Sequence, residues 1–422
     1  MTTLPRSTPP AVSPLEPHLD FIRSQFPALD SPMPDRPWAF LDNAGGSQVL
    51  RGVAERVSDY LLGTSVQLGA SYAVSQAASA RVAAGVQAAA QFIHAADPRE
   101  VVLGSSATQL VANLAASMGE FLRPGDEIIV TDTDHEANVG AWTRLESRGI
   151  KTLIWNINTQ TLALELDTLA ALMTPRTRLV CFTHVSNVLG TINPVAEITR
   201  LVHQRGAKVF VDGVAYAPHR QIDVQAWDVD FYLFSWYKVY GPHISLLFGK
   251  LDALLALPSI NHFFVPPDAA AYRLQPGNLN YELTYSLTGV SEYLNALQSR
   301  LGVDGVGGVF DAFAAHEAVL AGRLLEYLAT KPRVRIIGHP SADPFARVDT
   351  ISFVVDGVAS SAIPSFLDER HVAVRYGHFY AYRLIKALGL DQSEGVVRVS
   401  MAHYNTLAEV ERLIAGLEAF GL

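Results

Sequence analysis

Residues 208–212 read Lys208-Val209-Phe210-Val211-Asp212, and residues 231–238 read Phe231-Tyr232-Leu233-Phe234-Ser235-Trp236-Tyr237-Lys238. Each opens with a short run that is apolar on both faces, the pattern of a strand in a parallel sheet covered by helices, and each ends on a charged residue. Similar runs lie outward on both sides: Val101–Gly104, Glu127–Thr131, Thr152–Trp155, Leu179–Thr183 and Ile244–Phe248. Helical stretches such as Ala107–Leu122 and Pro194–Gln204 separate most of them. That alternation predicts an open α/β sheet, whose ligands bind beyond the carboxyl ends of the strands.

The pattern changes after about residue 305. Long helices (Val309–Ala329, Ala408–Phe420) accompany strands at Arg335–Ile337, Thr350–Val355 and Val396–Ser400, which predicts a smaller α+β unit. Thr406 and Glu409 form a capping box ahead of an apolar stripe of Leu407, Val410, Leu413, Ile414 and Leu417. The expected division is an N-terminal arm over 1–35 packing on the small domain, a large cofactor-binding domain over 36–305 and a small C-terminal domain over 306–422. There is no internal repeat.

Composition narrows the function classes. The 422 residues carry a formal charge of −9 with no basic stripe, which argues against nucleic acid. Cys181 is the single cysteine, so an intrachain disulfide and a cysteine-based metal site are both excluded. No apolar run approaches the ~18 residues of a membrane span. The first twenty residues, with Pro5, Pro9, Pro10, Pro14 and Pro17, lack a signal-peptide core and are expected to form a flexible arm on a cytoplasmic protein.

Six lysines are present, and five of them (Lys151, Lys208, Lys250, Lys331, Lys386) have a simple exposed reading. Lys238 instead follows a strand rich in aromatics and precedes Tyr240-Gly241-Pro242. Poor hydration there lowers an ammonium's pKa and frees the amine to act as a nucleophile, which a Schiff-base lysine requires; the plain alternative is a surface lysine on a loop. Asp212 ends its strand where ligands bind. A buried carboxylate needs a cationic partner, and the protonated ring nitrogen of pyridoxal phosphate (PLP) is one; the alternative is a turn aspartate beside Gly213. Gly104-Ser105-Ser106-Ala107-Thr108 joins a strand to a helix, at what we take as the other end of the sheet, and makes a candidate phosphate seat or a bare helix cap. No glycine-rich dinucleotide or P-loop motif competes with it.

His135, just after a strand, has a flat ring able to stack on a pyridine, or it simply opens a helix. Asn187 is placed to donate to the cofactor's phenolic oxygen, or to form a turn. Arg398 alternates with Val397 and Val399; its face looks either to the active site, where its fork suits a substrate carboxylate, or to solvent.

These residues together resemble the class V aminotransferase family, nearest its cysteine desulfurase-like branch. The stretches that carry the resemblance are residues 212–219, Ile222-Asp223-Val224 and Ser235 to His243. Further matches are Leu41-Asp42-Asn43-Ala44-Gly45-Gly46, His135 to Asn138, Ser186 to Thr191, Pro276-Gly277-Asn278, and Arg398 with His403 to Thr406. They span nearly the whole chain in family order. The resemblance implies an α/β fold-type I PLP-dependent transferase. Its sheet would be mostly parallel and seven-stranded, with a smaller C-terminal α+β domain, and the enzyme would be a homodimer with sites at the interface. It further implies that Lys238 forms the internal aldimine, Asp212 meets the pyridine nitrogen, His135 stacks on the ring and Asn187 approaches its oxygen. Ser106, Ala107, Ser235 and Tyr237 would hold the phosphate with Asn278 from the partner subunit, and Arg398 would take the substrate carboxylate. Arg375, His378, Tyr380 and Ala44 are further candidates for substrate contact.

Three departures stand out. The family's glutamine is Ala215 here, its histidine before the lysine is Tyr237, and its mobile cysteine is absent from Arg375-Tyr376-Gly377-His378-Phe379-Tyr380-Ala381-Tyr382. Cys181, within an apolar strand, is expected to be a core residue. The expectation is therefore a desulfurase-like C–S β-lyase acting at the α-carbon of an amino acid without persulfide transfer. The alternatives are an aminotransferase, an epimerase, a non-catalytic PLP-binding protein and, last, a nucleotide-binding domain.

Overall fold

The structure is a computed structural model and describes residues 12–30 and 37–422. Its centre is a seven-stranded sheet of β1 (Val101–Gly104), β2 (Glu127–Thr131), β3 (Lys151–Trp155), β4 (Thr177–Thr183), β5 (Lys208–Asp212), β6 (Phe231–Ser235) and β7 (Ser245–Gly249). The spatial order is β1-β7-β6-β5-β4-β2-β3. All pairings are parallel except those of β7, which runs antiparallel to both β6 and β1. Burial explains the sequence pattern: β6 and β7 are buried at every position, whereas β3, at the edge, exposes Lys151 and Ile154.

The helices that matter below are α1 (Leu19–Ser24), α2 (Ala73–Phe92), α3 (Ala107–Phe121), α4 (Ala137–Thr143), α5 (Tyr281–Ser286), α6 (Gly305–Ala329) and α7 (Leu407–Phe420). A second, antiparallel sheet contains β8 (Val334–Ile337), β9 (Thr350–Val355), β10 (Arg375–Gly377) and β11 (Val396–Ser400), in the order β10-β11-β9-β8. Strand β10 was not expected, because its residues are exposed or half-exposed and carry no apolar run. One face of this sheet packs Ile351, Phe353, Val397 and Val399 against Leu320, Leu324, Leu413 and Leu417 of α6 and α7. The capping box at Thr406 and Glu409 forms, but Leu407 departs from the predicted stripe and is exposed. At the first helical position its side chain points away from the sheet-facing row that starts at Val410.

The expected flexible arm needs correction. Residues 1–11 lie outside the described residues, while Glu16–His18 form a 3-10 turn leading into α1. Leu15, Ile22, Phe26 and Leu29 are fully buried. Prolines in this segment sit in the first positions of one turn (Pro17) and open another (Pro27) and do not loosen the chain. The segment touches both halves of the molecule. Phe26 packs on Tyr240, Tyr293 and Tyr404, and Ser13 Oγ lies 2.6 Å from His316 Nδ1 of α6. Among the described residues no helix is long and apolar enough to cross a membrane.

Candidate active site

The carboxyl ends of β2, β4, β5 and β6 converge on a cavity of about 110 Å³. Lys238, Asp212, His135, Asn187, Ser106, Ala107, Ser235 and Tyr237 all line it. The expected placement of the Ser106 segment at the other end of the sheet is thus corrected. Two successive antiparallel pairings through β7 return β1 to the direction of β6, so its carboxyl end opens on the same side. The Ser106 side chain caps α3 by accepting from the Gln109 N–H at 3.1 Å. The first turn of this helix, with its unbonded amide donors, therefore faces the cavity.

Lys238 ends a 3-10 turn after β6 and is 8% exposed. Burial, then the nearby Arg398 guanidinium, lowers its pKa to about 8. Its ammonium sits 5.9 Å from the Tyr237 ring centroid. Asp212 accepts one hydrogen bond, from the Val214 N–H at 2.9 Å, and makes no ion pair among the described residues. Burial raises its carboxyl above the usual range, and Lys238 partly offsets this. A buried carboxylate so placed fits a cationic ring nitrogen, and the buried amine fits an aldehyde. The cavity residues thus suit PLP.

His135 lies between β2 and α4. Burial, with Lys238 and Arg398 nearby, lowers its pKa to about 4, so the ring is neutral at pH 7. The ring packs on Tyr380 at 5.0 Å between centroids. Asn187 donates to the Phe379 carbonyl at 2.8 Å. Phe379 and Tyr380 both have left-handed backbones, φ +49° and +60°. Such conformations cost free energy in non-glycine residues, and here the neighbouring hydrogen bonds hold them. The Glu136 N–H adds one, donating to the Tyr380 carbonyl at 2.8 Å.

Arg398 is 2% exposed, so the solvent-facing alternative is removed. Its guanidinium donates to the Asn187 carbonyl at 3.1 Å, pairs with Asp42 at 3.0 Å, and lies 3.8 Å from the centroid of the Phe379 ring that covers it. Burial lowers its pKa.

Arg398 is not among the residues that line the Lys238 cavity, and five further predicted residues stand apart from it. Arg375, His378 and Tyr380 line a neighbouring groove of about 810 Å³, with Arg375 3.6 Å from Asp42. Asn278 lines a third cavity beside Gly104 and His243. Ala44 is buried next to β11, its N–H donating to Ser400 Oγ at 2.8 Å. Thr183, Val185 and Val214 also line the Lys238 cavity and were not singled out beforehand, and Thr108 and Ala215, quoted earlier but given no part, line it too. Each lies within a few residues of a strand's carboxyl end, and that position was the available signal. Asp42 was quoted in the motif but given no part; only the fold brings it to Arg398.

The Aminotransferase class-V family profile matches residues 39–413. The chain belongs to the class V aminotransferase family. Its fold is that of the fold-type I PLP-dependent enzymes, and the chain is a PLP-dependent enzyme of this family. Among similar proteins is the aminotransferase-like protein FGM3 of Gibberella zeae, 43% identical, with 95% of this chain and 98% of that protein covered. The cysteine desulfurase-like protein ustD of Aspergillus flavus is 36% identical, covering 97% and 93%. Among solved structures, the cysteine desulfurase CsdA of Escherichia coli superposes with a TM-score of 0.81 at 29% identity, covering 95% and 98%. Cys181, the family member's one thiol, is fully buried in β4, and burial raises its pKa.

Proposed function

We propose that this chain holds PLP in the cavity between Ser106, His135, Asp212 and Lys238 and acts at the α-carbon of an amino acid as a desulfurase-like C–S β-lyase without persulfide transfer. The observation that carries the reading is the meeting of a buried amine and a buried carboxylate, Lys238 and Asp212, in one small cavity. When bound, PLP offers a ring that accepts the electron pair left at Cα after proton loss. Lys238 Nζ would hold PLP through its aldehyde and, once the substrate's amino group has displaced it, would as a free amine be the base for the Cα proton. Asp212 would pair with the ring nitrogen and so keep it protonated. His135, neutral at pH 7, would lie against the cofactor ring without adding charge. The first turn of α3, with Ser106 and Ala107, and with Ser235 and Tyr237, receives the phosphate. Arg398, here paired with Asp42, would receive the substrate carboxylate.

With no cysteine between Arg375 and Tyr382, and Cys181 sealed in the core, no protein thiolate is available to take sulfur. On this reading residues 36–305 form the cofactor-binding domain and 306–422 the domain that carries Arg398. A homodimer would bring Asn278 of one subunit to the other's phosphate, and the protein works in the cytoplasm. Transamination is the second reading, favoured by the aminotransferase-like name of the Gibberella zeae relative.

The experiment is purification with PLP followed by spectroscopy and an amino-acid screen with products identified by mass. A visible band that borohydride bleaches, absent from Lys238→Ala, is expected. Amino acids that carry sulfur on Cβ should then release it as sulfide or a thiol, with a keto acid and ammonia as the other products. Retention of the band by Lys238→Ala would remove the assignment of the amine, and an amino-group transfer product would select the second reading.

A further inference from the structure

Away from the Lys238 cavity, three buried side chains from distant parts of the chain face one another. His219 follows β5, Glu317 lies in the middle of α6, and Asp349 immediately precedes β9. Their exposures are 3%, 1% and 1%. His219 Nδ1 lies 2.9 Å from Glu317 Oε1 and 3.4 Å from Asp349 Oδ1, and one ligand atom from each residue falls within 4.8 Å of the others.

Charge and hydrogen bonding are unequally shared within this cluster. The second oxygen of Glu317 accepts from Arg220 at 2.8 Å. Arg347 flanks the cluster but directs its guanidinium at backbone carbonyls, those of Val348, His339 and Thr350. Both oxygens of Asp349 are buried without a hydrogen-bond partner. Such a group costs on the order of 1–3 kcal/mol unless something is bound to it. Burial, then the charge of Glu317, pushes its carboxyl well above the usual range.

We propose that His219, Glu317 and Asp349 bind a divalent cation of the zinc class. One imidazole nitrogen and two carboxylate oxygens match the borderline donor preference of such ions, whereas magnesium and calcium need about six oxygens. Around a tetrahedral ion with ligand bonds of about 2.1 Å, donors stand about 3.4 Å apart. The two distances from His219 are close to that spacing, and Glu317 and Asp349 can close on the ion with small side-chain shifts. The neutral imidazole binds through Nδ1 in the tautomer that carries its proton on Nε2. Since the ligands come from the loop after β5, from α6 and from the lead into β9, the ion ties the small sheet and its long helix to the large sheet. Its role is structural. It stands clear of the Lys238 cavity and does not rest on the proposed reaction.

The test uses tag-free, full-length protein with its cofactor, purified without chelator. Metal content is measured as purified, after EDTA dialysis and after re-addition of zinc chloride. The expected result is about one zinc per chain and a melting temperature a few degrees (~2–6 °C) above that of the chelated protein. Asp349→Asn and His219→Gln should each weaken zinc uptake at least about tenfold. His203→Gln, in a separate histidine–carboxylate cluster, should leave it unchanged. Absence of uptake by the wild type, or uptake that survives Asp349→Asn in folded protein, overturns the proposal in favour of a buried water or a protonated acid. If Asp349→Asn does not fold, cobalt titration of the wild type decides. A visible band displaced by zinc supports the site, and a featureless spectrum overturns it.

Discussion

Lys238 couples the site to stability. In the fold it gives up its proton near pH 8, whereas in the unfolded chain it does so near its ordinary 10.5. Between those values the unfolded chain holds more protons, so this residue's contribution to stability rises with pH across the window. We expect cofactor-free wild type to gain up to about 3 kcal/mol relative to Lys238→Met from about pH 8 to about pH 10, measured by urea denaturation. A flat difference would mean that the amine is hydrated. Asp42 makes a second prediction at this scale. It is the carboxylate paired with the buried Arg398, whose Nε has no hydrogen-bond partner. Asp42→Asn should cost about 1–3 kcal/mol, and the double variant with Arg398→Met should recover part of that loss. Of these residues, Lys238 and Asp212 were legible beforehand because each ends a strand-linked apolar run. Asp42 was not, because its partner lies 356 positions away.

Among elements, the clearest constraint is where α2 meets α5. A Cβ on Gly85 would lie 2.0 Å from the carbonyl oxygen of Thr284 and 2.5 Å from its carbon. Helix propensity alone favours Gly85→Ala by about 1 kcal/mol. The clash is with backbone, which cannot rotate away, so the substitution should instead destabilise by about 1–3 kcal/mol in denaturant melts. A gain in stability would show that the helices slide apart freely. The same scale explains β10. Its pairing with β11 (Arg375 opposite Arg398, Gly377 opposite Val396) is made by backbone hydrogen bonds, which are blind to side-chain polarity. No apolar period announces such a strand. The strands of the large sheet, most of them buried on both faces, announced themselves.

For the whole molecule, the N-terminal segment is the part whose role was most different from expectation. Phe26 is fully buried, with ring centroids 5.8 Å from Tyr240, 5.6 Å from Tyr293 and 4.7 Å from Tyr404. Arg23 donates to the Tyr404 carbonyl at 2.9 Å and pairs with Glu409 of α7. The segment therefore acts as a wedge in which Tyr240, two residues past Lys238, meets the start of α7. Phe26→Ala should cost about 3–5 kcal/mol in global unfolding, read by circular dichroism. A loss below about 1 kcal/mol would reduce the wedge to a surface contact.

What the amino-acid order by itself determined is everything that depends on neighbours along the chain. That includes the two-sided apolar runs of a covered parallel sheet, the helix caps at Ser106 and Thr406, and the charged residues at strand ends. What only the tertiary structure decided is everything that depends on which distant segments meet. Arg398 is turned from a possible surface arginine into a buried one by Asp42 and Phe379. Asn278 and the Arg375 groove fall outside the Lys238 cavity, and His219, Glu317 and Asp349 assemble from three regions. The physical reason is that periodicity records whether a residue is buried, while the identity of the group that buries it is set by packing between elements, which leaves no local trace in the chain.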